Sequence, residues 1–133
     1  MLGKRLGVYQ IESLLGAGGM GRVYLARHVL LNRPCALKVL DPERAARDPD
    51  YLARFLEEGK AAAGLVHPNI ITVHAIGDAE DHYFLEMEYL SGGSLTRWIA
   101  RERTLNPVAA TTIALRIAEG LAVAHDAGIV HRD

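Results

Sequence analysis

The sequence predicts an α+β fold, with an antiparallel sheet and one packed helix followed by further helices. Early segments alternate polar and apolar residues as strands do, and glycine-rich and Asn-Arg-Pro turns separate them. Asp48-Pro49 is a helix-start signal, and apolar residues at helical spacing follow it, as they do between Asn106 and Gly128. The strand-like segments are 8–15, 22–29 and 35–40, and Asp41-Pro42 ends the third of them.

Length and composition are those of one small globular domain. The chain has 133 residues, 50% of them hydrophobic and 23% charged, with a formal net charge of −1. No run of lysine or arginine occurs, so nucleic acid and anionic membranes are poor candidates for a partner. The single cysteine, Cys35, cannot form an internal disulfide, which fits a reducing compartment.

We expect a cytoplasmic chain, because Met1 leads into no apolar signal segment. The most apolar late stretch, 113–130, carries charged residues such as Arg116 and Glu119 and does not resemble a membrane span. Any membrane anchor would lie beyond the last residue.

A glycine-rich turn between the first two strands is the most informative stretch. Gly16, Gly18 and Gly21 form a GxGxxG pattern, with Val23 two residues on. Glycines at this spacing let the backbone bend sharply and bring its N–H groups against phosphate oxygens. By itself the pattern is weak, because flexible turns and dinucleotide-binding loops share it.

Two interpretations of this turn compete. In a dinucleotide-binding unit the loop opens a helix, here over 20–31, and an acidic residue about 20 residues later holds the ribose, a place that Asp41 could fill. In a hairpin the loop joins two antiparallel strands, and a lysine lies on the third. The mixed polarity of 8–15 favours the hairpin, since a buried parallel strand is almost entirely apolar.

Lys38 is the first candidate functional side chain. It lies mid-strand on the face shared by Ala36 and Leu40, and an ammonium among apolar neighbours needs an anionic partner. In the following helix, Glu58 is the carboxylate that shares an apolar stripe. A buried Lys38–Glu58 ion pair would satisfy both groups. The alternative, in which Glu58 lies at the edge of the stripe and reaches solvent, stays open.

Two more strands are predicted in the middle of the chain, at 70–76 and 82–89, which makes a sheet of five. The flexible residues Ser91-Gly92-Gly93 then mark the best candidate for a boundary. We therefore divide the chain into segments 1–90 and 91–133.

Several motifs occur in a telling order: GAGGMGRV, CALK, a helix glutamate, HPN, an MEY strand end and HRD. Together they resemble the amino-terminal part of a protein kinase. The sequence GAGGMGxVY is similar to the glycine-rich loop of bacterial serine/threonine kinases of the eukaryotic-like type. The resemblance covers essentially the whole chain. It implies a kinase-like N-lobe over 1–90, with a five-stranded antiparallel sheet plus helix C. The first helices of an incomplete α-helical C-lobe would occupy 91–133.

The resemblance also implies roles for individual residues. The glycine-rich loop would cover the phosphates of ATP, and Lys38 would hold the α- and β-phosphates while pairing with Glu58. Asp133 would be the base that accepts the proton of the substrate hydroxyl. The implied catalytic residues are Asp133, Lys38 and Glu58. The implied nucleotide-binding residues are Leu15, Gly16, Ala17, Gly18, Gly19, Met20, Gly21, Val23, Ala36, Lys38, Met87, Glu88 and Leu90.

Around the adenine, the resemblance makes Met87 the gatekeeper residue and Ala36 part of the ceiling. The carbonyl of Glu88 and the backbone N–H and carbonyl of Leu90 would face the adenine edge. HPN would be a turn that anchors the helix to the sheet.

Two departures from the family pattern matter. The chain stops at Asp133, before the catalytic-loop asparagine and the DFG motif that hold magnesium, so the implied cofactors are ATP and a magnesium ion whose ligands are absent from these residues. Gly59, next to Glu58, costs about 1 kcal/mol in a helix interior and indicates either a mobile helix or close packing.

We therefore expect the ATP-binding part of a serine/threonine protein kinase that is catalytically incomplete at this length. Its expected partners are ATP, a protein substrate, and a second copy through exposed C-lobe helices. The alternatives are a truncated reading frame and a non-catalytic nucleotide-binding or interaction module, similar to a pseudokinase.

Overall fold

The computed structural model describes residues 1–19 and 21–131, which form one antiparallel sheet and four helices. The strands are β1 Arg5–Leu6, β2 Tyr9–Gly18, β3 Gly21–His28, β4 Arg33–Val39, β5 Val73–Ala79 and β6 His82–Met87. The helices are α1 Pro42–Arg47, α2 Pro49–Ala63, α3 Leu95–Glu102 and α4 Pro107–Asp126.

The sheet has the strand order β1-β2-β3-β4-β6-β5, and every neighbouring pair is antiparallel. The antiparallel class is confirmed, but the predicted number of five strands is wrong. The sixth strand, β1, has two residues, which is too short to show a polar–apolar alternation. It joins the sheet through the pair Leu6 and Tyr9.

Helix α1 is not predicted by the sequence, whereas α2 begins where its start signal predicts. Asp48 caps α2 by accepting the Tyr51 N–H at 3.1 Å, as the Asp-Pro signal predicts. Asp41 caps α1 in the same way, with Pro42 at its first position. The first Asp-Pro pair was interpreted only as the end of a strand, although the same capping chemistry starts a helix there.

The described chain divides into two compact units. The first unit contains Met1–Gly64 and Thr72–Tyr89, and the second contains Leu65–Ile71 together with the described residues from Leu90 onward. The short segment Leu65–Ile71 therefore groups with α3 and α4, although the predicted division places it in segment 1–90 with the sheet.

Asn69 explains this grouping. Its side-chain amide donates to the carbonyl of Arg116 at 2.9 Å and to Glu119 Oε2 at 3.1 Å, both on α4. A Cβ on Gly120 would come within 3.0 Å of the Asn69 carbonyl oxygen, so glycine permits the close approach. The HPN turn is thus anchored to helix α4, and the expectation that it anchors α2 to the sheet is wrong.

Two apolar clusters hold the first unit together. One contains nine buried residues of the strands: Leu6, Tyr9, Ile11, Tyr24, Ala26, Cys35, Leu37, Val39 and Phe84. The other lies where α2 packs on the sheet and contains Leu40, Tyr51, Phe55 and Leu85. Phe84 and Leu85, adjacent residues of β6, belong to different clusters, because successive side chains of a strand point to opposite faces.

A buried polar group lies within the first cluster. Glu86 is 3% exposed, and its carboxylate accepts a hydrogen bond from the Tyr9 hydroxyl at 2.9 Å and pairs with the Arg33 guanidinium. Burial raises the pKa of the Tyr9 hydroxyl, and the hydrogen bond and charge of Glu86 raise it further. Burial likewise raises the pKa of the Cys35 thiol from 9.0 to about 11, with the Glu86 charge as a second cause.

We expect the Cys35 thiol to make stability depend on pH. The folded chain keeps the thiol proton up to about pH 11, whereas the unfolded chain loses it near its ordinary pKa of 9.0. Because the unfolded state then binds fewer protons, the stabilisation is complete below pH 9 and is lost as the pH rises toward 11. The loss is at most about 1.4 kcal/mol per pH unit. Urea denaturation at pH 8 and 10 measures it.

Cys35→Ala supplies the comparison for this experiment. The variant lacks the thiol but keeps Tyr9, so the difference in unfolding free energy between wild type and variant should shrink as the pH rises. A difference that stays constant across this range would contradict the assignment.

Candidate functional site

The glycine-rich stretch forms the tip of a β-hairpin. Strands β2 and β3 pair in antiparallel register up to Gly18 opposite Gly21. Residues 21–28 are a strand, whereas the dinucleotide-binding interpretation required a helix over 20–31. That alternative is therefore excluded. Met20 lies outside the described residues.

The glycines of this hairpin fall into two groups, according to whether the fold itself excludes a side chain at the position. Gly21 has φ +119, and a Cβ there would overlap the carbonyl oxygen of Val39, so the fold itself requires glycine. A Cβ on Gly16, Gly18 or Gly19 would meet no heavy atom within 4 Å. A side chain at any of the three would meet open space, so packing does not explain why these positions are glycine.

Lys38 lies in the cross-strand row that begins in the hairpin. Gly16 on β2 pairs with Val23 on β3, which pairs with Lys38 on β4, which pairs with Leu85 on β6. Neighbouring strands are about 4.8 Å apart, so Lys38 lies two strand spacings, roughly 10 Å, from Gly16. The sheet register thus brings the predicted phosphate loop and the predicted phosphate-binding lysine together.

The lysine side chain faces helix α2, as its predicted inward orientation requires. Its ammonium nitrogen lies 5.8 Å from the centroid of the Phe55 ring, a cation–π distance. No carboxylate oxygen of the described residues lies within 4.0 Å of that nitrogen. The Lys38–Glu58 ion pair is not formed in this structure.

Glu58 is exposed, so its predicted burial is wrong. The buried residues of α2 are Tyr51, Phe55 and Gly59, which follow a spacing of four and four. In the sequence, Tyr51, Phe55 and Glu58 follow one another at spacings of four and three, which predicts one shared stripe with Gly59 on the adjacent one. Glu58 lies one residue, or about 100° around the helix, from the true centre of the buried face.

Gly59 is the reason for this helix orientation. A Cβ there would lie 2.5 Å from Leu85 Cδ2 and 3.1 Å from Ile76 Cδ1. The helix backbone therefore approaches the sheet directly, and the glycine reflects close packing, one of the two explanations that the sequence left open.

The predicted adenine-binding residues have backbone groups available for a ligand. Ala36 and Met87 are direct cross-strand partners on β4 and β6. The Glu88 N–H donates to the Thr72 carbonyl at 2.9 Å, and its Oε1 accepts the Thr72 N–H at 2.7 Å. Within the described residues, the Glu88 carbonyl and the Leu90 backbone make no hydrogen bond. Leu15 and Leu90 are largely exposed.

Two features of the site are not placed. Arg132 and Asp133, which include the implied catalytic base, lie outside the described residues. Across 1–19 and 21–131, no three His, Cys, Asp or Glu side chains are grouped so that they could hold a metal ion.

Helix α4 is strongly apolar and little covered. Val108, Leu115 and Ile117 are exposed, so the expectation of self-association stays a prediction. With 20 residues and a mean hydropathy of 1.4, α4 is long and apolar enough to cross a membrane. Polar contacts are also present on this helix: Arg116 pairs with Glu119 at 3.0 Å, and the Asn69 side chain donates to the Arg116 carbonyl and to Glu119.

Comparisons with known proteins agree with this geometry. The chain is 40% identical to the serine/threonine-protein kinase PrkC of Bacillus subtilis over its whole length. It is 45% identical, over 94% of its length, to the serine/threonine-protein kinase PknJ of Mycobacterium tuberculosis. It covers 20% and 21% of those two proteins, respectively.

Among solved structures, the crystal structure of the M. tuberculosis PknI kinase domain resembles this chain with a TM-score of 0.80 and 34% identity. The likeness covers 98% of this chain and 53% of that one. Residues 9–133 match the protein kinase domain family. The chain therefore belongs to the protein kinase family, with bacterial serine/threonine kinases as relatives, and it spans the N-terminal portion of the kinase domain.

Proposed function

We propose that this chain is the ATP-binding part of a serine/threonine protein kinase, which transfers the γ-phosphoryl group of ATP to a protein hydroxyl. The observation that carries the proposal is the row Gly16–Val23–Lys38 across three strands. It sets a glycine with open space beside it about two strand spacings from an ammonium that has no ion-pair partner among the described residues, a span suited to the phosphates of a nucleotide.

The resting contact of Lys38 leaves it available for phosphate. A cation–π contact of this kind contributes about 0.5–1 kcal/mol. A charge-assisted hydrogen bond to an anion contributes about 1.5–3 kcal/mol, so a nucleotide phosphate should draw the ammonium away from Phe55. In kinases the pairing of this lysine with the helix glutamate accompanies activity. Such a pairing here would need Glu58 to turn inward.

Under this proposal the chain holds residues that bind ATP but not those that bind magnesium, so we expect it to be inactive by itself. Phosphoryl transfer depends almost wholly on positioning and on neutralising charge with magnesium, and the family's metal-binding asparagine and DFG aspartate lie beyond position 133. Asp133 would act as the base in a complete kinase domain. A cytoplasmic location, where ATP is abundant and Cys35 stays reduced, follows from this proposal.

The second candidate is a nucleotide-binding or interaction module without catalysis, similar to a pseudokinase. The exposed position of Glu58 favours it, because the structure holds Lys38 in a state without its usual partner. An in-frame DFG motif encoded downstream of codon 133 would argue for the kinase, and its absence would argue for the module.

Lys38→Met should weaken ATP binding at least tenfold, because it removes a charged hydrogen bond to phosphate. We expect the wild-type chain to bind ATP with a dissociation constant on the order of millimolar or weaker. Titration of the ¹⁵N-labelled chain, followed at the amides of residues 16–19 and 21–23, measures both constants. Lys60→Met, on the exposed face of α2, is the matched control and should bind like wild type. Equal affinities for all three chains would contradict the role of Lys38.

Gly21→Ala and Gly18→Ala should separate folding from binding. Gly21→Ala forces a side chain onto the Val39 carbonyl at positive φ and should destabilise the chain by about 1–3 kcal/mol. Gly18→Ala meets no neighbour and should change stability by less than about 0.5 kcal/mol while weakening ATP binding. Urea denaturation and the same titration test both variants. A Gly18→Ala chain that binds ATP normally would refute a phosphate contact at the loop.

The 133-residue chain should show no autophosphorylation when incubated with radiolabelled ATP and magnesium. The physical reason is that the magnesium ligands of the family lie outside it. If the wild-type chain incorporates label and the Lys38→Met variant does not, the expectation that this chain is catalytically incomplete is wrong. Such a result would leave the assignment of a kinase intact.

A further inference from the structure

A side chain from outside the predicted site holds the tip of the glycine-rich hairpin. Arg44 on α1 donates from Nη1 to the carbonyl oxygen of Gly19 at 2.7 Å. The Arg44 guanidinium carbon also lies 4.4 Å from the centroid of the Tyr51 ring, close enough for a cation–π contact. One guanidinium thus joins the loop to helix α2.

The start of α1 determines the place of this arginine. Asp41 follows the strand that carries Lys38, and its Oδ1 accepts the N–H groups of Glu43 at 3.0 Å and of Arg44 at 3.3 Å. Arg44 is therefore held in the first turn of the helix. Among the described residues, no carboxylate oxygen lies within 4.0 Å of its guanidinium.

Tyr51 links this contact to the rest of the site. It is 1% exposed and lies one helical turn before Phe55, on the buried stripe of α2. The ring of Phe55 lies next to Lys38, and the ring of Tyr51 lies next to Arg44. Arg44, which binds the loop tip, and Lys38 therefore lie next to neighbouring rings of one helix.

We propose that Arg44 is a positioning residue for nucleotide binding, which orients the glycine-rich loop through the Gly19 carbonyl. The inference rests on the proposed function, because it takes ATP as the ligand. The hydrogen bond between Arg44 and the Gly19 carbonyl does not depend on that function. A carbonyl oxygen bound to a guanidinium cannot turn toward the phosphates, where its partial negative charge would repel theirs. The loop is then partly ordered before ATP arrives, which lowers the entropy lost on binding.

Arg44→Ala tests the proposal in the ¹⁵N-labelled chain by two measurements. We expect hydrogen exchange at the hairpin amides, Gly18 and Gly21 among them, to rise about fivefold, and the dissociation constant for ATP to rise by a similar factor. The melting temperature should change little, since Arg44 is exposed. Arg44→Lys should recover part of both effects, because an ammonium can still donate to the Gly19 carbonyl.

Arg47→Ala serves as the matched control. It removes the same charge from the same helix, but among the described residues Arg47 pairs with Glu43 alone, at 3.7 Å, so both measurements should stay unchanged.

The outcomes distinguish this inference from the proposed function. Equal hydrogen exchange at the hairpin amides of the Arg44→Ala and Arg47→Ala chains would show that Arg44 does not tether the loop. Faster exchange with an unchanged affinity for ATP would overturn the positioning role. A wild-type chain that binds no ATP, together with faster exchange in Arg44→Ala, would overturn the nucleotide-binding function and with it the positioning role, and would leave Arg44 as a purely structural tether.

Discussion

The close approach of helix α2 to the sheet at Gly59 is the constraint on which the first unit depends. Without a Cβ at that position, the helix backbone lies against Leu85 and Ile76. This contact selects Tyr51 and Phe55 as the other buried residues of the helix. Their rings then become the surfaces on which the nearby cations lie, and Glu58 is turned to solvent.

The charges of this unit follow from that packing and from the alternation of the strands. Lys38 faces α2 and finds an aromatic ring, whereas Glu86, on the opposite face of the neighbouring strand, is buried with Arg33 and Tyr9. An ammonium next to a ring can move to a stronger anionic partner at small cost. A carboxylate that is fully paired in the core cannot move without leaving charges unpaired. The structure thus holds one ionic group that is fixed in the core and one that can change its partner.

Much of the fold was predictable because its signals are local. The antiparallel strands, the hairpin at the glycines and the Asp48 cap all depend on a few adjacent residues. Strand β1 was not predicted, because two residues are too few to show the alternation of polar and apolar side chains that identifies a strand. The burial of Glu86 was missed because it depends on Arg33 and Tyr9, which are distant in the chain. The contact of Arg44 with Gly19 spans 25 residues and has no sequence pattern.

By itself, the sequence determined the family, the antiparallel hairpin and the position of Lys38 on an inward face, since each follows from local spacing or from ordered motifs. Tertiary structure alone decided which side chains meet that lysine. A helix has several possible buried faces within 100° of one another, and only packing against the sheet chooses between them. In this chain the buried face of α2 is the one that carries Gly59, because a backbone without a side chain can lie closest to Leu85.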